Sequence, residues 1–192
     1  MTAIHRGVVL GVIAMTAIVA ASNVLVQYPI NDWLTWGAFT YPIAFLVTDL
    51  TNRAFGPAKA RQVVIAGFAA AVVLSILLAT PRIAIASGTA FLVAQLLDIG
   101  IFDRLRQSGA WWSAPLVSSS VASALDTALF FSIAFVGTGM PMVWVDFGPF
   151  VAHMPLWVSL GLGDYVVKLA LALAMLVPFR ALMHFARPQQ AV

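Results

Sequence analysis

The sequence predicts an all-α polytopic membrane protein of six transmembrane helices, built as a single transmembrane domain over residues 1–192. Three observations carry this. First, 62% of the residues are hydrophobic and only 9% are charged, whereas a soluble domain carries about 25% charged residues; mean hydropathy is +0.99. Second, apolar runs recur at close to bilayer length, about 20 residues at about 1.5 Å each for a hydrocarbon core of roughly 30 Å. Third, the basic residues fall in alternate links, the pattern of short cytoplasmic loops.

The first span is expected over residues 7–26. Its start, MTAIHRGVVLG, has a basic flank and an apolar run like a signal peptide, but further apolar segments follow, so it reads as a retained span. Gly7 and Gly11 form a small-xxx-small pair suited to close helix approach, and Asn23 sits near the segment's end. The second span, residues 34–50, is short, holds Pro42 and ends in Asp49. Such a segment is kinked or partly unwound, a form that often lines a transport path. After the basic link with Arg53, Lys59 and Arg61 comes an Ala-rich wall helix, residues 63–79.

The fourth span, residues 83–103, is flanked by Arg82 and by Arg104 and Arg106. It carries Gln95 and Asp98 one helical turn apart on a single face. A polar pair inside an apolar run is expensive unless it meets a cavity or a partner, which marks it as a functional candidate. The fifth span, residues 115–136, begins with serines and holds Asp126 near mid-membrane. A Gly- and Pro-rich link with Trp144 and Phe147 has interfacial character. The sixth span, residues 154–182, places Asp164 and Lys168 four residues apart on one face, where they can neutralise each other.

With six spans, Arg6, Arg53, Lys59, Arg61, Arg104, Arg106, Arg180 and Arg187 share one side and Arg82 alone faces the other. That asymmetry predicts cytoplasmic termini. All seven acidic residues are Asp and cysteine is absent, which excludes disulfides and thiolate chemistry. His5, His153 and His184 lack metal-ligand spacing, no hydrolase, kinase or redox signature is present, and no cofactor is implied. The net charge of +3 is too small to suggest nucleic-acid binding. Trp111 and Trp112, beside the basic link, read as a bilayer-surface anchor.

The candidate substrate site gathers Asp49, Gln95, Asp98, Asp126, Asp164 and Lys168, with Asn23 and Arg82 able to join. Carboxylate beside carboxamide suits a neutral solute rich in N–H donors and ring carbonyls. Trp33, Trp36, Tyr41 and Phe45 could offer a stacking surface. Structural readings stand beside these: Asp49 as an interfacial charge, Asp126 as an interhelical hydrogen-bonding group, and Asp164 with Lys168 as a self-neutralised strut.

Several stretches carry a family resemblance: ASN at 21–23, WGAFTYPIAFLVTDLTNRAFG at 36–56, RIAIAS at 82–87, QLLDIGIFDRLRQSGAWWSAPL at 95–116, DTALFFSIAF at 126–135, and Asp164 with Lys168. Together they resemble the queuosine precursor transporters, a vitamin-uptake-like family of bacterial inner-membrane proteins. The resemblance implies uptake of 7-cyano-7-deazaguanine or its 7-aminomethyl relative, and a fold similar to the substrate-binding subunits of energy-coupling-factor transporters. Carried over residue by residue, it implies roles for Asn23, Asp49, Arg82, Gln95, Asp98, Asp126, Asp164 and Lys168. Two departures stand out: a short link between the third and fourth segments, and Ala94 where Gly is expected, which narrows the space beside Gln95. The alternatives are a vitamin-type binding subunit that needs a separate ATP-driven module, or a membrane assembly protein. Partners beyond substrate and bilayer would be a second copy, paired through Gly7 and Gly11 or the serine-rich face.

Overall fold

A computed structural model of the chain describes residues 3–25, 28–31, 34–40, 42–78, 81–107, 109–146, 148–149 and 151–186. Its long helices are α1 (Ala3–Leu25), α3 (Pro42–Phe55), α4 (Pro57–Leu78), α5 (Pro81–Leu105), α6 (Ser113–Phe135) and α7 (Leu156–Leu182). A one-turn helix, α2 (Gly37–Thr40), precedes α3. Two small antiparallel hairpins complete the described chain: β1 (Pro29–Asn31) with β2 (Leu34–Thr35), and β3 (Met142–Asp146) with β4 (Val151–Pro155).

The expectation of six transmembrane helices is corrected. Among the described residues, four helices are long and apolar enough to cross a bilayer: Ile4–Ser22 of α1, Pro81–Leu105, Ser113–Phe135 and Leu156–Leu182. The second expected span fails on length. Residues 34–50 do not form one helix; strand β2 and α2 occupy its first half, and the helix that follows has only 14 residues. At about 1.5 Å per residue it reaches roughly 21 Å, and it buries Thr48, Asp49, Thr51 and Asn52. Helix α4 has 22 residues, and its side chains at 70–71 and 74–78 lie outside the described residues. The chain is a multi-pass membrane protein in which α3 and α4 pack on each other and on α1 and α5, and α3 also meets α6 and α7.

Proline explains where three of these helices begin. Pro42, Pro57 and Pro81 each stand at a first helical position, where the missing N–H has no intrahelical acceptor to lose. Pro42 is therefore the start of α3 rather than a kink within a span. Gly56, at φ +81°, makes the reversal from α3 into α4 in a conformation that side-chain-bearing residues disfavour.

The principal apolar core lies where α1, α3, α4 and α5 meet, around Met15, Val63, Val64, Phe91 and Ile99. Helices α1 and α4 approach closely because Gly11 faces Val63 and Gly67 faces Met15; a Cβ on Gly67 would come within 2.5 Å of Met15 Cγ. Gly7 lies against the Phe55 ring in the same way.

The link between α6 and α7, expected only to be interfacial, is the β3–β4 hairpin. Trp144 and His153 stand opposite each other in its register and stack at 4.5 Å. Asp146 Oδ1 accepts a 2.7 Å bond from the Gly148 N–H in the turn, and the Leu156 N–H donates to Pro141 O where the chain enters α7. Phe147 lies outside the described residues, as do Trp33 and Arg187.

Candidate functional site

The site is built from one buried polar face on each of four helices. On α3, Phe45, Thr48, Asp49 and Asn52 recur at the three- and four-residue spacing that lines one side of a helix. On α5, Gln95 and Asp98 do the same, and both are fully buried. The two faces meet. The Thr48 hydroxyl lies 2.6 Å from Gln95 Oε1 and 3.1 Å from Ala44 O, which occupies the carbonyl end of the Gln95 amide and leaves Nε2 as its free donor. Asn52 Nδ2 donates to Ile99 O at 3.1 Å.

Asp49 and Asp98 are direct neighbours across this interface, with Ser118 of α6 on the other side of Asp98. The Ser118 hydroxyl lies 3.4 Å from Pro115 O and can turn to Asp98 instead, and a proton on either carboxyl of the Asp49–Asp98 pair makes it a donor to the other. Apart from these two contacts, Gln95 Nε2, both oxygens of Asp98 and Oδ1 of Asp49 are buried without a hydrogen-bond partner. Leaving such groups unpaired costs about 1–3 kcal/mol each, so their concentration at one spot requires a reason.

A second polar group joins α6 to α7. Lys168 Nζ lies 2.7 Å from Asp126 Oδ2, 2.6 Å from Asp164 Oδ2 and 3.1 Å from the Thr127 hydroxyl. Thr127 in turn donates to Asp164 Oδ2 at 2.7 Å. The expected Asp164–Lys168 pair is therefore part of a three-charge cluster with one formal negative charge in excess. Asp126 is 3% exposed and Lys168 5%, so the ions are held by one another rather than by water.

Asp49 and Lys168 line opposite walls of one crevice between α3, α6 and α7, with Phe45, Ser119, Ser123 and Phe179 between them. Its volume is about 10 Å³, room for about one water molecule. Ala94, fully buried, packs with Phe45 and Ala122 at the back of this region.

The remaining predicted residues fall elsewhere. Arg82, on the exposed surface, donates from Nε to Ile133 O at 3.0 Å and from Nη2 to Val136 O at 2.5 Å, closing the C-terminal end of α6. Sixteen residues of helix, about 24 Å, separate it from Asp98. Asn23 lies on α1, its side chain outside the described structure, and Tyr41 lies outside the described residues. Trp36 is 53% exposed and tilts against Phe39, whereas Phe45 is buried beside the crevice. Thr48, Asn52, Ser118 and Thr127 belong to the polar faces but were not singled out in the sequence. Their spacing from Asp49, Asp98 and Asp126 was the available signal.

Comparison with known proteins adds the decisive observation. The family described as "Putative vitamin uptake transporter" matches residues 35–80 and 75–183. A relative from Haemophilus influenzae named "Probable queuosine precursor transporter" is 36% identical, covering 84% of this chain and 79% of its own length.

The chain belongs to the queuosine precursor transporter family.

A second member, the "Queuosine precursor transporter" of Escherichia coli, is 34% identical over the same shares of both chains. A "Probable queuosine precursor transporter" of Bacillus subtilis is 24% identical, covering 72% of this chain and 67% of its own. No solved structure gives a significant match. As a member of this transporter family the chain is not an enzyme.

Proposed function

We propose that this protein takes up queuosine precursors, 7-cyano-7-deazaguanine or 7-aminomethyl-7-deazaguanine, across the bacterial inner membrane. Family membership supports the reading, and the observation that carries it to residues is the unpaired set at the α3–α5 interface. The two acceptor oxygens of Asp98 and the free donor Gln95 Nε2 complement the edge of a deazaguanine. The ring N–H and exocyclic amine can bond a carboxylate in parallel, and the ring carbonyl can accept from the amide. Phe45 lines the crevice and packs on Ala94 next to Gln95, so it supplies an aromatic face there, while Gln95 and Asp98 themselves stand behind the crevice wall. Asp49 lies within reach of the same ligand, while Asp126, Asp164 and Lys168 fix the facing wall.

The crevice is too small for a bicyclic base, so binding opens it. Uptake then alternates between forms in which α3 and α7 stand apart and the closed form described here. The basic residues of α3, α5 and α7 gather at one end of the bundle, with Arg82 at the other. On the positive-inside rule this supports cytoplasmic termini. A homodimer would use surfaces other than Gly7, Gly11 and the buried serines, because those are occupied within the chain.

The test is uptake by the purified protein in liposomes without ATP, using both deazaguanines with guanine as competitor. Saturable entry of a deazaguanine is the expected result. Binding without entry would favour the reading as a binding subunit that requires a separate ATP-driven module.

A further inference from the structure

A second charged cluster lies just beyond one end of the substrate crevice, past Phe179 of its lining. Arg53 ends α3, Arg106 follows α5, and Arg180 lies in the last turn of α7. Two contacts bring them together. Arg106 Nη1 donates to the backbone carbonyl of Asn52, the residue before Arg53, at 3.0 Å. Phe102 and Phe179, one turn before Arg106 and one residue before Arg180, meet edge to face at 6.1 Å. Arg106 and Arg180 are accordingly the charged neighbours of Arg53.

These three cations are under-compensated. Among the described residues, Asp103 is the carboxylate that bridges to the group, at 2.7 Å from Arg106. Asp49, four residues before Arg53 on α3, makes no ion pair with it and faces Asp98 instead. Arg53 Nε is buried without a hydrogen-bond partner. Arg180 is held by the Trp111 ring at 4.8 Å and by Met183 Sδ at 3.5 Å, contacts that orient a guanidinium without neutralising it. Trp111 and Trp112 are exposed beside it, as suits side chains at headgroup level.

We propose that Arg53, Arg106 and Arg180 form a phosphate-binding site that seats the headgroup of an anionic phospholipid and ties together the ends of α3, α5 and α7. Three guanidinium forks from three helices match the oxygens of one phosphate, and an anion there removes the mutual repulsion of the cluster. The site is independent of the transport reading, since it shares no residue with the substrate crevice.

The experiment measures lipid binding and thermal unfolding of the full chain in detergent, titrated with phosphatidylglycerol, phosphatidylcholine or inorganic phosphate. Phosphatidylglycerol should bind more tightly than phosphatidylcholine and raise the unfolding temperature. Arg53→Gln and Arg180→Gln should each weaken it about fivefold, as expected for one basic contact to an anionic headgroup. Arg180→Lys, which keeps charge and fold but loses the fork, should weaken it less. Arg104→Gln is the control, since Arg104 is exposed at the same end but outside the cluster. Equal loss in Arg104→Gln and Arg53→Gln would mean diffuse attraction and would overturn the site. So would equal binding of the two lipids. Stabilisation by inorganic phosphate that phosphatidylglycerol fails to reproduce would retain a phosphate site but overturn the lipid as its occupant.

Discussion

Asp98 is the residue on which the functional reading turns. Both of its oxygens are buried, with only the Ser118 hydroxyl and the second carboxyl of Asp49 to answer them, an arrangement that the N–H groups of a ligand would satisfy better. Asp98→Ala should therefore reduce deazaguanine uptake far more than it reduces folded protein in the membrane; equal uptake per folded molecule would remove Asp98 from the site. Lys168 behaves oppositely. Its loss leaves Asp126 and Asp164 buried beside each other, so Lys168→Met should lower stability by about 3–5 kcal/mol. Asp164→Asn keeps the Asp126 bridge and should cost less, a ranking that thermal unfolding in detergent can check. The sequence revealed the pairs that lie on one helix, Gln95 with Asp98 and Asp164 with Lys168, because helical spacing places them together. It could not show that Asp49 meets Asp98 or that Asp126 meets Lys168, since those contacts depend on how two helices register in space. Thr48 and Asn52 were overlooked for a related reason: a hydroxyl or amide in an apolar run carries no charge to attract notice.

Among the secondary-structure elements, the strongly apolar α5, α6 and α7 were legible to within two residues at each end. The short polar α3 was not. Hydropathy averages over a window, and in residues 34–50 it merged a hairpin strand, a single turn and the start of a helix. Proline resolves the boundary once it is read as a helix start. The β3–β4 hairpin also escaped, because Met142–Asp146 is too short to register against its apolar surroundings. The packing of α1 on α4 gives a direct test. Gly67→Val should separate these helices and lower the unfolding temperature, because its side chain would collide with Met15. Gly100→Ala, which enters open space on α5, should be neutral or stabilising by up to about 1 kcal/mol.

Across the assembled bundle, the spanning helices α6 and α7 enclose a crevice that α3 completes from the side. The absence of cysteine makes its opening measurable. Ser123 is 1% exposed and lines the crevice, so a Ser123→Cys variant should resist a water-soluble thiol reagent in the closed form. Reactivity that changes on adding 7-cyano-7-deazaguanine would report the opening; reactivity indifferent to ligand would place the path elsewhere. Orientation is equally accessible, since a reporter fused to the C-terminus should be active only when it functions in the cytoplasm.

The grip of Arg82 on the last carbonyls of α6 bears on which parts can swing. It fastens α5 to α6 at one extremity, and their long shared interface continues toward the other. These two helices would then behave as a single stiff leaf, which puts the opening we propose on the side of α3 and α7. Cutting that fastening with Arg82→Gln would loosen the frame against which the door closes, so its expected signature is leak rather than loss of recognition.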